Sequence, residues 1–146
     1  MNFLAWISPY TIVIIIAWAG AHVIKYVVCK IKDKNTDCKS TMFASGGMPS
    51  AHTATIIALT TIIGLHDGFD TGLFGLASLM SLIVMHDAMR VRRATGEQGT
   101  AIEALIKEQK SKVNIPYSAN GHLLKEVVAG FIFGVFIGIV VFLATK

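Results

Sequence analysis

Two histidines, His52 and His122, each stand where a polar, cation-rich loop runs into an apolar helix. Their segments are Ser45-Gly46-Gly47-Met48-Pro49-Ser50-Ala51-His52 and Gly121-His122-Leu123-Leu124-Lys125-Glu126. An imidazole at the mouth of an apolar helix is costly to bury unless it has a partner there. A glycine-rich turn, a serine and the arginines Arg90, Arg92 and Arg93 complete an inventory that suits an anionic phosphate ester. Phosphate monoester cleavage needs a nucleophile, an acid for the leaving oxygen and positive groups around the nonbridging oxygens. His122 and Glu126 are four residues apart, so on one helix face the carboxylate can take a hydrogen bond from one ring nitrogen. That fixes the tautomer and leaves the other nitrogen free to attack, although the same spacing also suits a structural helix-end pair.

His52 follows Gly46, Gly47 and Ser50 at the start of a helix, where free backbone donors make a ready anion site. Ser50 can cap that helix, contact phosphate, or do both. Lys25 lies near the end of the first apolar stretch, placed either to snorkel toward headgroups or to reach a phosphate. Arg92 and Arg93 suit bidentate phosphate contacts, and Asp87, close before them, can neutralise or orient the cluster. His22, His66 and His86 are weaker candidates. His66 falls at the opposite end from the cationic loops, and His86 neighbours Asp87.

The elements that position these residues are apolar. Of 146 residues, 53% are hydrophobic and 15% charged, with a mean hydropathy of +0.62. This excludes an ordinary soluble domain and favours one compact membrane unit over residues 1–146. Four stretches are candidates to cross a bilayer: about Leu4 to Val28, Ser50 to Leu65, Thr71 to Met89, and Leu123 to Ala144. The second is short and starts polar, which suits a place within protein rather than lipid. The first carries Ala19-Gly20-Ala21, which mimics a cleavage site, but no basic residue precedes it, so it reads as a retained span. Pro49 suits the first turn of the second helix. Ala101, Ile102, Leu105 and Ile106 form a stripe opposite a Glu103–Lys107 pair, the pattern of an interfacial amphipathic helix. Gly130, Gly134 and Gly138 allow close helix packing and turn the His122 face of the last helix inward. Cys29 and Cys38 have no metal-ligand spacing and are expected to be reduced, incidental thiols.

Charge sets the expected orientation. Twelve of the thirteen basic residues fall at or in the two long loops, after the first and third stretches, and only Lys146 lies on the other side. The positive-inside rule then places both loops and the site on the cytoplasmic face of an inner or plasma membrane, with both termini outside.

In order and spacing these pieces resemble the divergent branch of the type 2 phosphatidic acid phosphatases, relatives of vanadium haloperoxidases. The matching segments run from Lys25 onward. They are Ser45 to His52, Gly64-Leu65 with Gly68-Phe69-Asp70, Asp87-Ala88 with Val91-Arg92-Arg93, Gly96-Glu97-Gln98, and Gly121-His122 with Glu126-Val127 and Gly130. The resemblance implies an all-α polytopic bundle and a lipid phosphate phosphatase that needs no metal or other cofactor. It implies that His122 forms a phosphohistidine, Glu126 orients it and His52 protonates the leaving alcohol. Lys25, Gly46, Gly47, Ser50, Arg92 and Arg93 would bind phosphate, with Asp87 and Ser45 in support.

Three departures from the family pattern stand out. The usual Arg-Pro after the lysine is Ile31-Lys32, and the glycine between the serine and histidine is Ala51. In the last signature the arginine is Pro116 and the aspartate is Glu126, so Arg92 or Arg93 must supply the guanidinium. The competing expectation is a non-catalytic membrane protein that holds anionic lipid or assembles with partners. A transporter lacks a polar path across the membrane here, and a metal enzyme lacks a third ligand near the two histidines. The expected partners are a lipid phosphate, the membrane and a second copy of the chain as a homodimer, with no nucleic acid.

Overall fold

The computed structural model describes residues 8–32, 46–115 and 121–146. They form helices α1 (Pro9–Lys32), α2 (Ala51–Asp67), α3 (Gly72–His86), α4 (Arg92–Glu108) and α5 (Leu124–Thr145), with a π-helical turn, Asp87–Val91, joining α3 to α4. The expected all-α membrane bundle is what forms. Among the described residues, three helical segments are long and apolar enough to cross a membrane: Pro9–Ile31, Gly72–Glu108 and Leu124–Thr145.

Helix ends follow local chemistry. Pro9 opens α1, where its missing donor costs nothing. Ser50 caps α2, its hydroxyl taking the Thr53 N–H at 3.4 Å. Pro49 therefore lies outside the helix, before its cap, and not in the first turn as the sequence suggested. Gly68, at φ 103°, ends α2 in a conformation open to glycine, and Thr71 caps α3 through the Phe74 N–H at 3.2 Å.

α2 is the axis of the bundle, with α1, α3 and α5 packed around it. Its second half shares a core with Val13, Ala17 and Val141 through Ala58 and Ile62. The short second stretch is thus sheathed by protein, as its polar start suggested. Gly130, Gly134 and Gly138 are all buried against α2. A Cβ at Gly130 would stand 2.6 Å from the Ser50 carbonyl oxygen, and one at Gly134 2.5 Å from that of Ala54. At Gly138 it would meet Thr61 Cβ at 2.6 Å. The glycine run therefore sets the α2–α5 distance.

Two expectations change. The amphipathic segment is not separated from the third span: α4 continues α3 through the π turn, beginning at Arg92. No glycine or proline lies between Asp87 and Thr95 to stop it. The Glu103–Lys107 pair forms at 2.7 Å. Cys29, in the last turn of α1, is disulfide-bonded rather than reduced. Cys38, the other cysteine, lies outside the described residues, as do Ser45, Pro116 and most of the first loop.

The glycine seam gives a direct expectation. Gly134→Ala should destabilise the detergent-solubilised protein by about 1–3 kcal/mol, the usual cost of overpacking. Gly75→Ala, where an added Cβ meets nothing within 4 Å, should leave the thermal midpoint unchanged or higher. Equal midpoints for the two variants would show that the seam does not hold the bundle.

Candidate active site

The site is built at the end of the bundle where α1 finishes and α2 and α5 begin. Two backbone bonds draw its pieces together: the Ser50 N–H donates to the Glu126 carbonyl at 3.0 Å, and the His122 N–H donates to the Ala88 carbonyl at 2.9 Å. The second bond depends on the π turn. Arg92 N–H reaches back five residues to the Asp87 carbonyl, so the Ala88 carbonyl, which an α-helix would have given to Arg92, is left for His122. Gly121 lies against the Arg93 backbone, with no room for a side chain.

His122 is only 6% exposed. Its Nδ1 lies 3.0 Å from Glu126 Oε2, and the same oxygen accepts the Leu123 N–H at 3.1 Å, half of a capping box. A carboxylate only accepts, so Nδ1 carries the proton and Nε2 keeps its lone pair. Burial pushes the His122 pKa below the ordinary imidazole value; the Glu126 hydrogen bond and charge oppose this, while Lys25 and Arg92 add to it.

Lys25 does not snorkel. It is 5% exposed, and its stem crosses Gly47 with carbons 3.6–3.7 Å from where a Cβ would stand. Gly46 and Gly47 hold φ of 95° and 84°, which side-chain-bearing residues rarely adopt. Ser50 is fully buried and also accepts the Thr53 hydroxyl at 3.0 Å. His52 is exposed on the first turn of α2, within electrostatic reach of Arg92, His122, Lys25 and Asp87.

The two arginines are used differently. Arg92 Nε pairs with Asp87 Oδ2 at 2.6 Å. Arg93 Nε pairs with Glu97 Oε1 at 3.1 Å in an exposed pair. Arg93 also lines a cleft of about 960 Å³ beside His122, together with His86, Arg90 and Glu97. His86, a weaker candidate in the sequence, thus lines the same cleft as His122, with Arg90 and Glu97 beside it. Their spacing was the available signal: 86, 90, 93 and 97 fall on one helical face once the chain is read as unbroken through Arg92. His66 lies at the far end, edge-on to Tyr10 and Phe142, and His22 stacks on Trp18 with centroids 4.4 Å apart. Neither joins the site.

Comparison with known proteins agrees with this architecture. The sequence profile of the divergent PAP2 family matches residues 8–137, and the chain belongs to that family. The uncharacterized membrane protein YuiD of Bacillus subtilis (strain 168) is 39% identical over 94 residues, 64% of this chain and 59% of that protein. The chain thus spans less than two thirds of that relative's length. No solved structure matches it.

The opposing influences on His122 can be separated. In the folded protein its ring should titrate below about 6.5. Because the unfolded chain then binds the extra proton first, folding stability falls as pH drops from about 6.5 toward the folded pKa. Glu126→Gln removes the groups that raise the pKa, so the ring should titrate lower still. NMR titration of labelled histidine checks the sign; a rise in that variant would mean that Glu126 does not act on the ring.

Proposed function

We propose that this member of the divergent PAP2 family is a lipid phosphate phosphatase working through a phosphohistidine. The observation that carries the reading is the buried His122 ring, oriented by Glu126 at 3.0 Å, beside a cleft lined by arginines. A helix-end pair made only for stability would not need an adjoining cationic cleft.

In this mechanism the His122 Nε2 lone pair attacks phosphorus, and the bond from phosphorus to the lipid oxygen breaks. The leaving alkoxide takes a proton from His52 in its imidazolium form. Glu126 stabilises the positive charge that develops on His122 through the Nδ1–H bond. Lys25, Arg92, Arg93, the Ser50 hydroxyl and the backbone at Gly46 and Gly47 neutralise the nonbridging oxygens. Water, deprotonated by the now neutral His52, attacks phosphorus, the phosphorus–nitrogen bond breaks, and inorganic phosphate leaves. No step uses a metal.

The substrate is a phosphomonoester of a membrane lipid, since the site lies at one end of helices that can span a bilayer. The charge bias supports a cytoplasmic site. The disulfide at Cys29 pulls the other way, toward an oxidising compartment. Labelling by an impermeant thiol reagent of single cysteines placed after Ser111 decides the side: protection in intact cells means cytoplasmic.

The central test is phosphate release from lipid phosphates in detergent with chelator present. Wild type should turn over and be blocked by vanadate, which mimics the five-coordinate phosphorus. His122→Ala should lose at least about a thousandfold while remaining folded, and Glu126→Gln should keep a residual rate. Phosphate release by folded His122→Ala at the wild-type rate would end the nucleophile assignment. Binding of anionic lipid without turnover by wild type would favour the non-catalytic reading.

A further inference from the structure

A second cavity follows the same seam. α3 and α5 pack on α2 from two sides without packing substantially on each other. Between them lies a groove of about 450 Å³, walled by Phe74, Ser78 and Met85 of α3 and Phe131 and Val135 of α5. Its floor is α2, at Ile57, Thr60 and Thr61.

The groove is apolar despite its hydroxyls. Thr60 and Thr61 donate to the Ile56 and Ile57 carbonyls, each at 2.8 Å, and Ser81 donates to Ala77 at 2.9 Å. Thr60 and Ser81 also meet at 2.8 Å. With these three protons spent inside the protein, the walls present carbon everywhere but at the Ser78 hydroxyl.

Both ends are defined. At the far end Phe69 and Phe74 stack edge-to-face, centroids 5.1 Å apart, with Phe69 seated over Gly64. At the near end Met85 adjoins His86 and lies one turn from Met89, and both of those line the His122 cleft. On α5 the lining residue Leu124 of the cleft and Phe131 of the groove are seven apart, on one face. From Phe74 to Met85 the helix rises ~16 Å. Spread over that length, the volume leaves a mean cross-section of about 28 Å², the width of one extended chain rather than two. On either side Leu79, Ile83, Ile132 and Phe136 are exposed, so the groove opens where bilayer hydrocarbon must lie.

We infer that this groove seats one hydrocarbon tail of the lipid phosphate whose headgroup occupies the cleft, and that the Phe69–Phe74 wall sets the preferred tail length. The inference rests on the phosphatase reading for its headgroup. Bilayer hydrocarbon is as apolar as the groove, so burial there supplies little affinity. What the groove provides is position: a seated tail fixes the phosphate relative to His122 Nε2.

The test compares butyl, octyl, dodecyl and hexadecyl phosphate in detergent. For wild type, kcat/KM should rise to dodecyl and level off at hexadecyl. Ser78→Phe and Val135→Phe fill the groove and should lose about tenfold on dodecyl phosphate while keeping the butyl rate. Leu79→Phe, on the lipid-facing side of α3, should behave as wild type. Folded groove variants with wild-type rates on dodecyl phosphate would overturn the tail seat and leave the phosphatase reading standing. Absence of turnover on every substrate by wild type would instead remove the phosphatase reading. A dodecyl phosphonate with a photoreactive group at the tail end decides the seat without turnover or variants. Crosslinks at Phe69, Phe74 or Thr61 support it, and crosslinks confined to the outward faces of α3 and α5 refute it.

Discussion

The close approach of α5 to α2 is the constraint on which the site depends. Gly130, Gly134 and Gly138 present no side chain to α2 at three successive turns, so the α5 backbone comes up against the Ser50 and Ala54 carbonyls and the Thr61 side chain. At the site end this contact becomes a bond, from the Ser50 N–H to the Glu126 carbonyl. The cap residue of one helix is thereby tied to the residue that orients His122 on the other. His52 and His122 inherit their separation from that bond and not from any contact between the two rings. A larger residue at 130 would separate both histidines at once, which is why a packing feature and a chemical one share the same turn of helix.

Charge is arranged around this seam from three separate elements. Lys25 comes from α1, Glu126 from α5 and Arg92 from the junction of α3 and α4, and each affects His122. A buried cation is expensive to desolvate, and for Lys25, drawn inward over Gly47, the Glu126 charge offsets part of that cost. An anionic ligand changes that balance: fixed cations in a water-poor site need no reorganisation when charge develops on the phosphoryl oxygens. Asp87 and Glu97 each hold one arginine, Arg92 at 2.6 Å and Arg93 at 3.1 Å, while Glu126 bonds the imidazole.

What was legible in the sequence was local and periodic. The glycine run, the His122–Glu126 pair, the Ser50 cap and the polar start of α2 all follow from helical spacing. Lys25 could not be assigned a direction, because its helix is apolar all round and carries no face to orient it. The common face of His86, Arg90, Arg93 and Glu97 was hidden for a different reason: the third stretch appeared to end at Met89, so the arginines after it were read as part of a loop. Pro49 was placed one cap too far inside its helix. Its neighbour Ser50 is an equally good start signal, and spacing alone does not choose between them. The bonding of Cys29 depends on which residues meet in space, and no period encodes that.

The π turn shows how one change of register serves the site. In an α-helix, residues five apart lie ~140° around the axis, which would point Asp87 and Arg92 in different directions. Widening the turn brings them onto one side, where they pair at 2.6 Å. The same widening frees the Ala88 carbonyl, and the His122 N–H takes it at 2.9 Å. One irregular turn therefore fixes the arginine, anchors the nucleophile candidate and carries the helix onward, so that Arg93 and Glu97 reach the cleft. The arginine that the family pattern places six residues before the histidine is Pro116 here. The Arg92 guanidinium, placed from the helix junction by the π turn, acts on the imidazole electrostatically from a different element.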